Sequence, residues 1–236
     1  MELDEMSNNS TISNLSDCQN DSHFLFDTEQ FIYTPSFEEL NPQINNVIST
    51  VNLGNNLNLK NIALQLKNVE YNTNKSSNLI IKTKNNKITA TIFSNGKMVC
   101  SGAKTEKESK SACLKFTKIV KKLGYKIELK DFKIQNIIAS YDIKFKISLS
   151  KLYSEINILI NNSKKLGNYN NNYCRFNKEG FPGLIVYIND SKINLLIYES
   201  GKVVISGAKK RKDIDDIFKN IYPLLVESKN IYNEEK

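Results

Sequence analysis

The chain repeats itself, and that duplication constrains its folding more than any other feature. Gly96-Lys97-Met98-Val99-Cys100-Ser101-Gly102-Ala103-Lys104 returns as Gly201-Lys202-Val203-Val204-Ile205-Ser206-Gly207-Ala208-Lys209, with seven of nine positions identical at an offset of 105. The same offset pairs Leu79-Ile80 with Leu184-Ile185 and Ile92 with Ile197, whereas Asn46-Val47-Ile48 returns as Asn136-Ile137-Ile138 at an offset of 90. The difference of 15 is an insertion in the second copy, assigned to the Asn/Ser/Lys-rich stretch near 161–175 and read as a solvated loop. Two copies are too few for a stacked solenoid, so a pseudo-twofold domain is expected.

Each copy follows one plan. An opening strand (Val47 to Leu53; Ile137 to Ile147) leads to a short helix (Leu59 to Leu66; about Leu149 to Ile158). Strands follow at 78–83, 87–94 and 97–103, and again at 183–189, 192–199 and 202–208. Asn95-Gly96 and Ser200-Gly201 mark hairpin turns, because glycine tolerates positive φ there. A long helix closes each copy. In the first, Thr105 and Glu108 form a capping-box pattern, and Ala112, Phe116, Ile119, Val120 and Leu123 share a face. In the second, Ile214, Ile217, Phe218, Ile221, Leu224 and Leu225 form the stripe, and Pro223 is expected to kink or break the helix.

One apolar stripe per helix covers one sheet face, so the opposite face has no helix left to cover it. Strand alternation sorts the residues into two sets. One set contains Val99 with Ser101, Val204 with Ser206, Thr91 with Phe93, Leu196 with Tyr198, Asn46 with Ile48, and Asn136 with Ile138. If that set faces outward, the bare surface is apolar, with small hydroxyls and two symmetry-related amides, which marks an interaction site. If it faces inward, these are ordinary core positions and the charged alternates meet water. The residues alone leave both orientations open.

Charge narrows the partner. Residues 1–40 hold nine acids and no Lys or Arg, leaving 33 basic against 16 acidic residues in the remainder, a net +17. A body that basic seeks a polyanion, with nucleic acid the leading candidate. A membrane span is not expected, since no run of about 18 uncharged apolar residues occurs. Four cysteines without a CxxC pair and one histidine offer no zinc-ligand spacing, and no nucleophile elbow or His-based dyad is present. Neither an enzyme nor a metal or cofactor is therefore expected. The Ser/Asn/acid-rich residues 1–43 read as a disordered tail, with an acidic-aromatic stretch from His23-Phe24-Leu25-Phe26 to Phe31-Ile32-Tyr33 as a docking-motif candidate. The first repeat is assigned to 44–130, the second to 131–229, and a polar end to 230–236.

Several segments together carry a specific resemblance. Asp131-Phe132-Lys133-Ile134-Gln135-Asn136, Phe93-Ser94-Asn95-Gly96-Lys97-Met98-Val99, Phe181-Pro182-Gly183-Leu184 and both Ser-Gly-Ala-Lys runs resemble the TATA-box-binding protein family, over roughly Asn45 to Glu227. The resemblance implies an α+β fold: a pseudo-twofold duplicated saddle, its curved antiparallel sheet of about ten strands carrying four helices on the convex face. It implies a nuclear general transcription factor that binds and bends AT-rich promoter DNA through the minor groove and nucleates preinitiation complex assembly. Asn46 and Asn136 match asparagines that donate to base acceptors, which suits a groove offering mostly acceptors. Ile48, Ile138, Val99, Val204, Thr91, Leu196, Ser101 and Ser206 match the floor-contacting surface, and Lys82, Lys97 and Lys202, with Lys104 and Lys209, are placed to reach phosphates.

The family also wedges pairs of phenylalanines between base steps, and is itself the standard example of such kinking. Here this chain departs from the pattern: Phe181 is paired with Tyr198, and Phe93 with Ser76, which is no apolar wedge. A weaker or differently shaped kink is expected at the end contacted by the first copy. The loop at Asn177-Lys178-Glu179-Gly180 matches the family's contact with transcription factor IIB, with Glu179 a matching acid and Asn177 and Gly180 departures from the pattern. Lys107, Lys110, Lys118 and Lys121 on the first long helix are candidates for transcription factor IIA, beside the alternative of a solvated helix face. TBP-associated factors are further implied partners, and exposure of the bare face suggests a homodimer without DNA. A single-strand or RNA platform is the main rival; it would stack bases on aromatics, whereas Val, Ile, Leu and Ser dominate the central strands.

Overall fold

The computed structural model describes residues 33–71, 78–83, 87–165, 172–189 and 191–230, with the side chains of 163–165 excepted. The acidic stretch through Ile32, Ser76, residues 166–171 of the expected insertion loop and the end from 231 lie outside the described residues. The first copy runs β1 Gln43–Asn52, α1 Leu59–Gln65, β2 Val69–Tyr71, β3 Asn78–Lys82, β4 Thr89–Phe93, β5 Lys97–Ala103 and α2 Glu106–Lys122. The second repeats the order as β6 Lys130–Asp142, α3 Leu149–Lys165, β7 Tyr173–Phe176, β8 Gly183–Ile188, β9 Ile193–Tyr198, β10 Lys202–Ala208 and α4 Arg211–Glu227.

All ten described strands join one antiparallel sheet in the order β2-β3-β4-β5-β1-β6-β10-β9-β8-β7. The two opening strands therefore lie side by side at its centre, with Val47 opposite Ile137. The pseudo-twofold runs between them. Register slips in the β1–β5 and β6–β10 ladders are bulges, which bend and twist the strands that carry them and so curve the sheet.

One face of this sheet is core. Val47, Val51, Ala90, Ile92, Met98 and Cys100 are buried in the first copy, beneath Ala112, Phe116 and Val120 of α2. Ala139, Tyr141, Leu195, Ile197, Val203 and Ile205 are buried in the second, beneath Ile214, Phe218 and Leu225 of α4. Burying a side chain as large as Phe116 or Phe218 stabilises by about 1.5–3 kcal/mol relative to leaving it exposed. α2 begins where Thr105 Oγ1 accepts from the Glu108 N–H at 3.0 Å, while the Glu108 carboxylate accepts from the Lys104 N–H at 2.8 Å. The first bond satisfies a donor that the first helical turn leaves open, and the second ties the chain entering the helix to that turn.

Several sequence expectations need correction. α4 is not broken at Pro223, which sits on the exposed face, where water can satisfy the carbonyl its ring leaves unpaired, while Tyr222 and Leu225 anchor the helix on the buried side. α3 runs to Lys165 rather than about Ile158, shortening the expected 161–175 loop from both sides, because β7 occupies 173–176. β7 and β2 were not expected from the residues alone. Both are short edge strands with weak alternation, formed because β8 and β3 offer them partners. The second opening strand covers Lys130–Asp142 instead of Ile137 to Ile147. It ends where Asp142 Oδ1 accepts from the Lys144 N–H at 3.1 Å, with Lys144 at φ +66°.

The end of the presumed tail is also structured. Pro35 is buried, and its carbonyl accepts from the Tyr222 hydroxyl. Phe37 stacks on Phe218 with centroids 6.0 Å apart. Phe37 stands 90 positions before Ile127, the buried residue of the segment leading into β6. The strap before β1 is thus the counterpart of the linker before β6, each docking onto the copy across the twofold.

Candidate nucleic-acid interface

The sheet's other face has no described helix over it, and the strand alternation resolves accordingly. Ile48, Thr50, Thr91, Phe93, Val99, Ser101, Ile138, Leu196, Tyr198, Val204 and Ser206 are all half-buried, whereas their alternates lie in the core. At the centre, Asn46 is opposite Ile138 and Ile48 is opposite Asn136, so the twofold exchanges one amide–isoleucine pair for the other. Val99 stands between Thr50 and Thr91, and Val204 between Ser140 and Leu196.

The two amides are held in one orientation by the bulges. Asn46 Oδ1 accepts from the Gly102 N–H at 2.7 Å, and Asn136 Oδ1 accepts from the Gly207 N–H at 2.7 Å. A backbone donor can bond only the carbonyl end of a carboxamide, so the NH2 ends become the donors offered to a partner. Glycine is required at both bulges. Gly102 and Gly207 have φ of +100° and +99°, and a Cβ would fall 1.9 Å from the Lys87 carbonyl oxygen and 2.2 Å from that of Lys192. The repeated Ser-Gly-Ala-Lys run is therefore the device that bulges the strand and aims the asparagine.

Away from the centre the copies diverge. In the second copy Phe181 and Tyr198 form a tilted ring pair with centroids 5.9 Å apart. Gly183 faces Tyr198 across the ladder, and a Cβ there would lie 2.8 Å from the Phe181 ring. In the first copy the strand partner of Phe93 is Asn78. Charge differs as well. Lys97 and Lys202 are both exposed, but Lys97 is opposite Asn52 whereas Lys202 is opposite Asp142. The Lys144 ammonium, 2.6 Å from the Asp142 carboxylate, holds that acid below the ordinary carboxylate range, with Lys202 adding a smaller effect. Lys82 is ion-paired with Glu70.

The expected partner-binding residues fall elsewhere. Lys110 and Lys118 are exposed on α2, on the helix side of the sheet. Asn177 shapes the loop before Phe181: its side chain accepts from the Glu179 N–H at 3.1 Å and its carbonyl from the Phe181 N–H at 3.0 Å. Glu179 itself is exposed. Sequence reasoning missed Thr50, Ser140 and Thr89, the last bonded to Ser101 at 3.0 Å. Continuing the Asn46–Ile48 alternation one step, with its equivalent at an offset of 90, would have found the first two.

Fold and face define a class: duplicated open-sheet proteins with a lysine-flanked bare face able to receive a long polyanion. The comparisons supply the family. Residues 41–123 and 131–228 match the family described as "Transcription factor TFIID (or TATA-binding protein, TBP)". The chain is 45% identical over 188 residues to a TATA-box-binding protein of Acanthamoeba castellanii, covering 80% of this chain and 67% of that one. It is 44% identical over 186 residues to one of Acetabularia peniculus, covering 79% and 90%. The solved structure of Methanococcus jannaschii TBP aligns with a TM-score of 0.63 at 30% identity, covering 79% of this chain and 98% of that one. The chain belongs to the TATA-binding protein family.

Proposed function

We propose that this protein binds AT-rich promoter DNA through the minor groove, bends it, and nucleates assembly of the transcription initiation machinery in the nucleus. The observation that carries this reading is the pair of bulge-anchored amides, Asn46 and Asn136, related by the twofold at the centre of a mostly apolar and hydroxyl-bearing face. The minor groove of A·T pairs presents the acceptors A N3 and T O2 and lacks the guanine amine. Two outward NH2 groups related by a twofold match those acceptors without distinguishing A·T from T·A, while Ile48, Ile138, Val99 and Val204 leave no acceptor for a guanine amine. Lys97 and Lys202 flank this surface and supply phosphate contacts.

Transcription factor IIB is assigned to the Asn177–Gly180 loop through Glu179, and transcription factor IIA to the lysines of α2, with TBP-associated factors as further partners. Without DNA the bare apolar face favours self-association, which sedimentation at rising concentration would detect. The decisive experiment is a gel-shift and bend-angle assay of the full chain on a TATA duplex beside a GC-substituted control. Selective, bent complexes are expected. Equal binding to both duplexes without bending would refute minor-groove reading.

A further inference from the structure

The two copies share a backbone plan, yet among the described residues only the second shows a complete ring seat. In the second copy, Phe181 and Tyr198 lie 5.9 Å apart, and Gly183 leaves the space that the Phe181 ring occupies. The offset of 105 carries these three positions to Ser76, Phe93 and Asn78. Asn78 is in register with Phe93, as Gly183 is with Tyr198. Its Cβ and carboxamide stand at the position where the second copy requires glycine. Among the described residues of the first copy, Phe93 is the aromatic ring on this face, with a polar side chain opposite it in place of the second copy's ring-and-glycine arrangement.

Resting on the minor-groove reading, we infer that this protein is a single-wedge binder: Phe181, packed on Tyr198, opens one base step, and the first copy holds its end of the site without intercalating. Inserting an apolar ring between base pairs requires unstacking, which is easiest at flexible pyrimidine–purine steps such as TA. A protein with two wedges needs such a step at both ends of its site. A single-wedge protein needs one, and places its second copy there. The same asymmetry breaks the twofold, so the position of the flexible step fixes which way round the protein sits. Orientation in turn sets the direction in which the α2 lysines and the Asn177–Gly180 loop face along the DNA.

The test uses three AT-rich duplexes of equal length, with TA steps at both ends of the site, at one end, or at neither, beside a GC control. The expected result is that the first two bind alike within about the twofold statistical factor, and the third about tenfold or more weaker, the equivalent of part of an unstacking energy. Phe181→Ala is expected to abolish the dependence on TA steps, and Phe93→Ala to leave it in place. 2-Aminopurine at either end of the one-step duplex reports unstacking, expected only at the TA end. Equal, stepwise losses as each TA step is removed, or unstacking at both ends of the first duplex, would overturn the single wedge while leaving groove reading intact. Absence of any preference for AT duplexes over the GC control would overturn both.

Discussion

Replacing Asn136 by Asp separates folding from groove reading within one side chain. The carboxylate keeps the oxygen that accepts the Gly207 N–H at 2.7 Å, so the bulge and its strand stay held. The other end changes from an NH2 donor to an anionic oxygen facing the acceptors of the groove floor. A lost hydrogen bond is worth about 0.5–1.5 kcal/mol, and a charge left buried and unpaired at an interface about 2–5 kcal/mol. Together, about 3–6 kcal/mol converts to binding weaker by roughly a hundredfold to ten-thousandfold. The assay is fluorescence anisotropy on a labelled AT-rich duplex at fixed salt, run beside thermal denaturation of the DNA-free protein. Tm is expected to stay within about 3 °C of the parent, since the fold loses no bond. Asn136→Ala gives the opposite ordering. It removes the acceptor of a half-buried N–H, so it costs about 1–3 kcal/mol in stability, and it weakens binding less than the aspartate does. An aspartate variant that folds normally and binds within about tenfold of the parent would refute the role of this amide as a donor to the groove.

Gly207→Ala forces a side chain into φ +99° with its Cβ 2.2 Å from the Lys192 carbonyl oxygen. A loss of about 2–4 kcal/mol is expected, visible as a Tm drop of roughly 4–15 °C, together with weaker DNA binding as Asn136 loses its anchor. Ser76→Phe is expected to tighten binding and increase the bend, more so when combined with Asn78→Gly; no gain in affinity or bend angle from either would count against the missing wedge. Lys97→Ala and Lys202→Ala are each expected to reduce the slope of log K against log salt by about one, since the Lys144 ammonium, 2.6 Å away, already neutralises the Asp142 that faces Lys202; an unchanged slope in either variant would remove that lysine from the phosphate contacts. Asp142 is held below its ordinary range chiefly by the Lys144 ammonium, so its contribution to stability is present at neutral pH and is lost as the pH falls below about 4. Asp142→Asn is expected to flatten the acid limb of a Tm-against-pH curve.

The sequence by itself determined everything that depends on local pattern. The duplication, both hairpin turns, the cap of α2 and the apolar stripes of α2 and α4 could be read directly, because glycine φ, capping oxygens and 3.6-residue periodicity act over a few residues. It also separated Asn46, Ile48, Val99 and Ser101 from their alternates. It could not say which set was bare, since alternation divides a strand's faces without saying which one a helix will cover. Only the tertiary structure decided that, by laying Cys113 of α2 against Cys100 and Phe218 of α4 against Tyr141. It alone supplied partners for the edge strands β2 and β7, which are too short to show themselves by pattern, and placed Pro223 on the exposed side of α4, where the carbonyl it leaves unpaired can reach water. It docked Phe37 on a helix some 180 residues away in the chain. The aim of the asparagines was likewise out of reach of pattern, because a carboxamide looks symmetric until a backbone N–H 56 or 71 residues distant claims its oxygen. Local chemistry wrote the elements; long-range packing and hydrogen bonds chose which face was left open and which way its donors point.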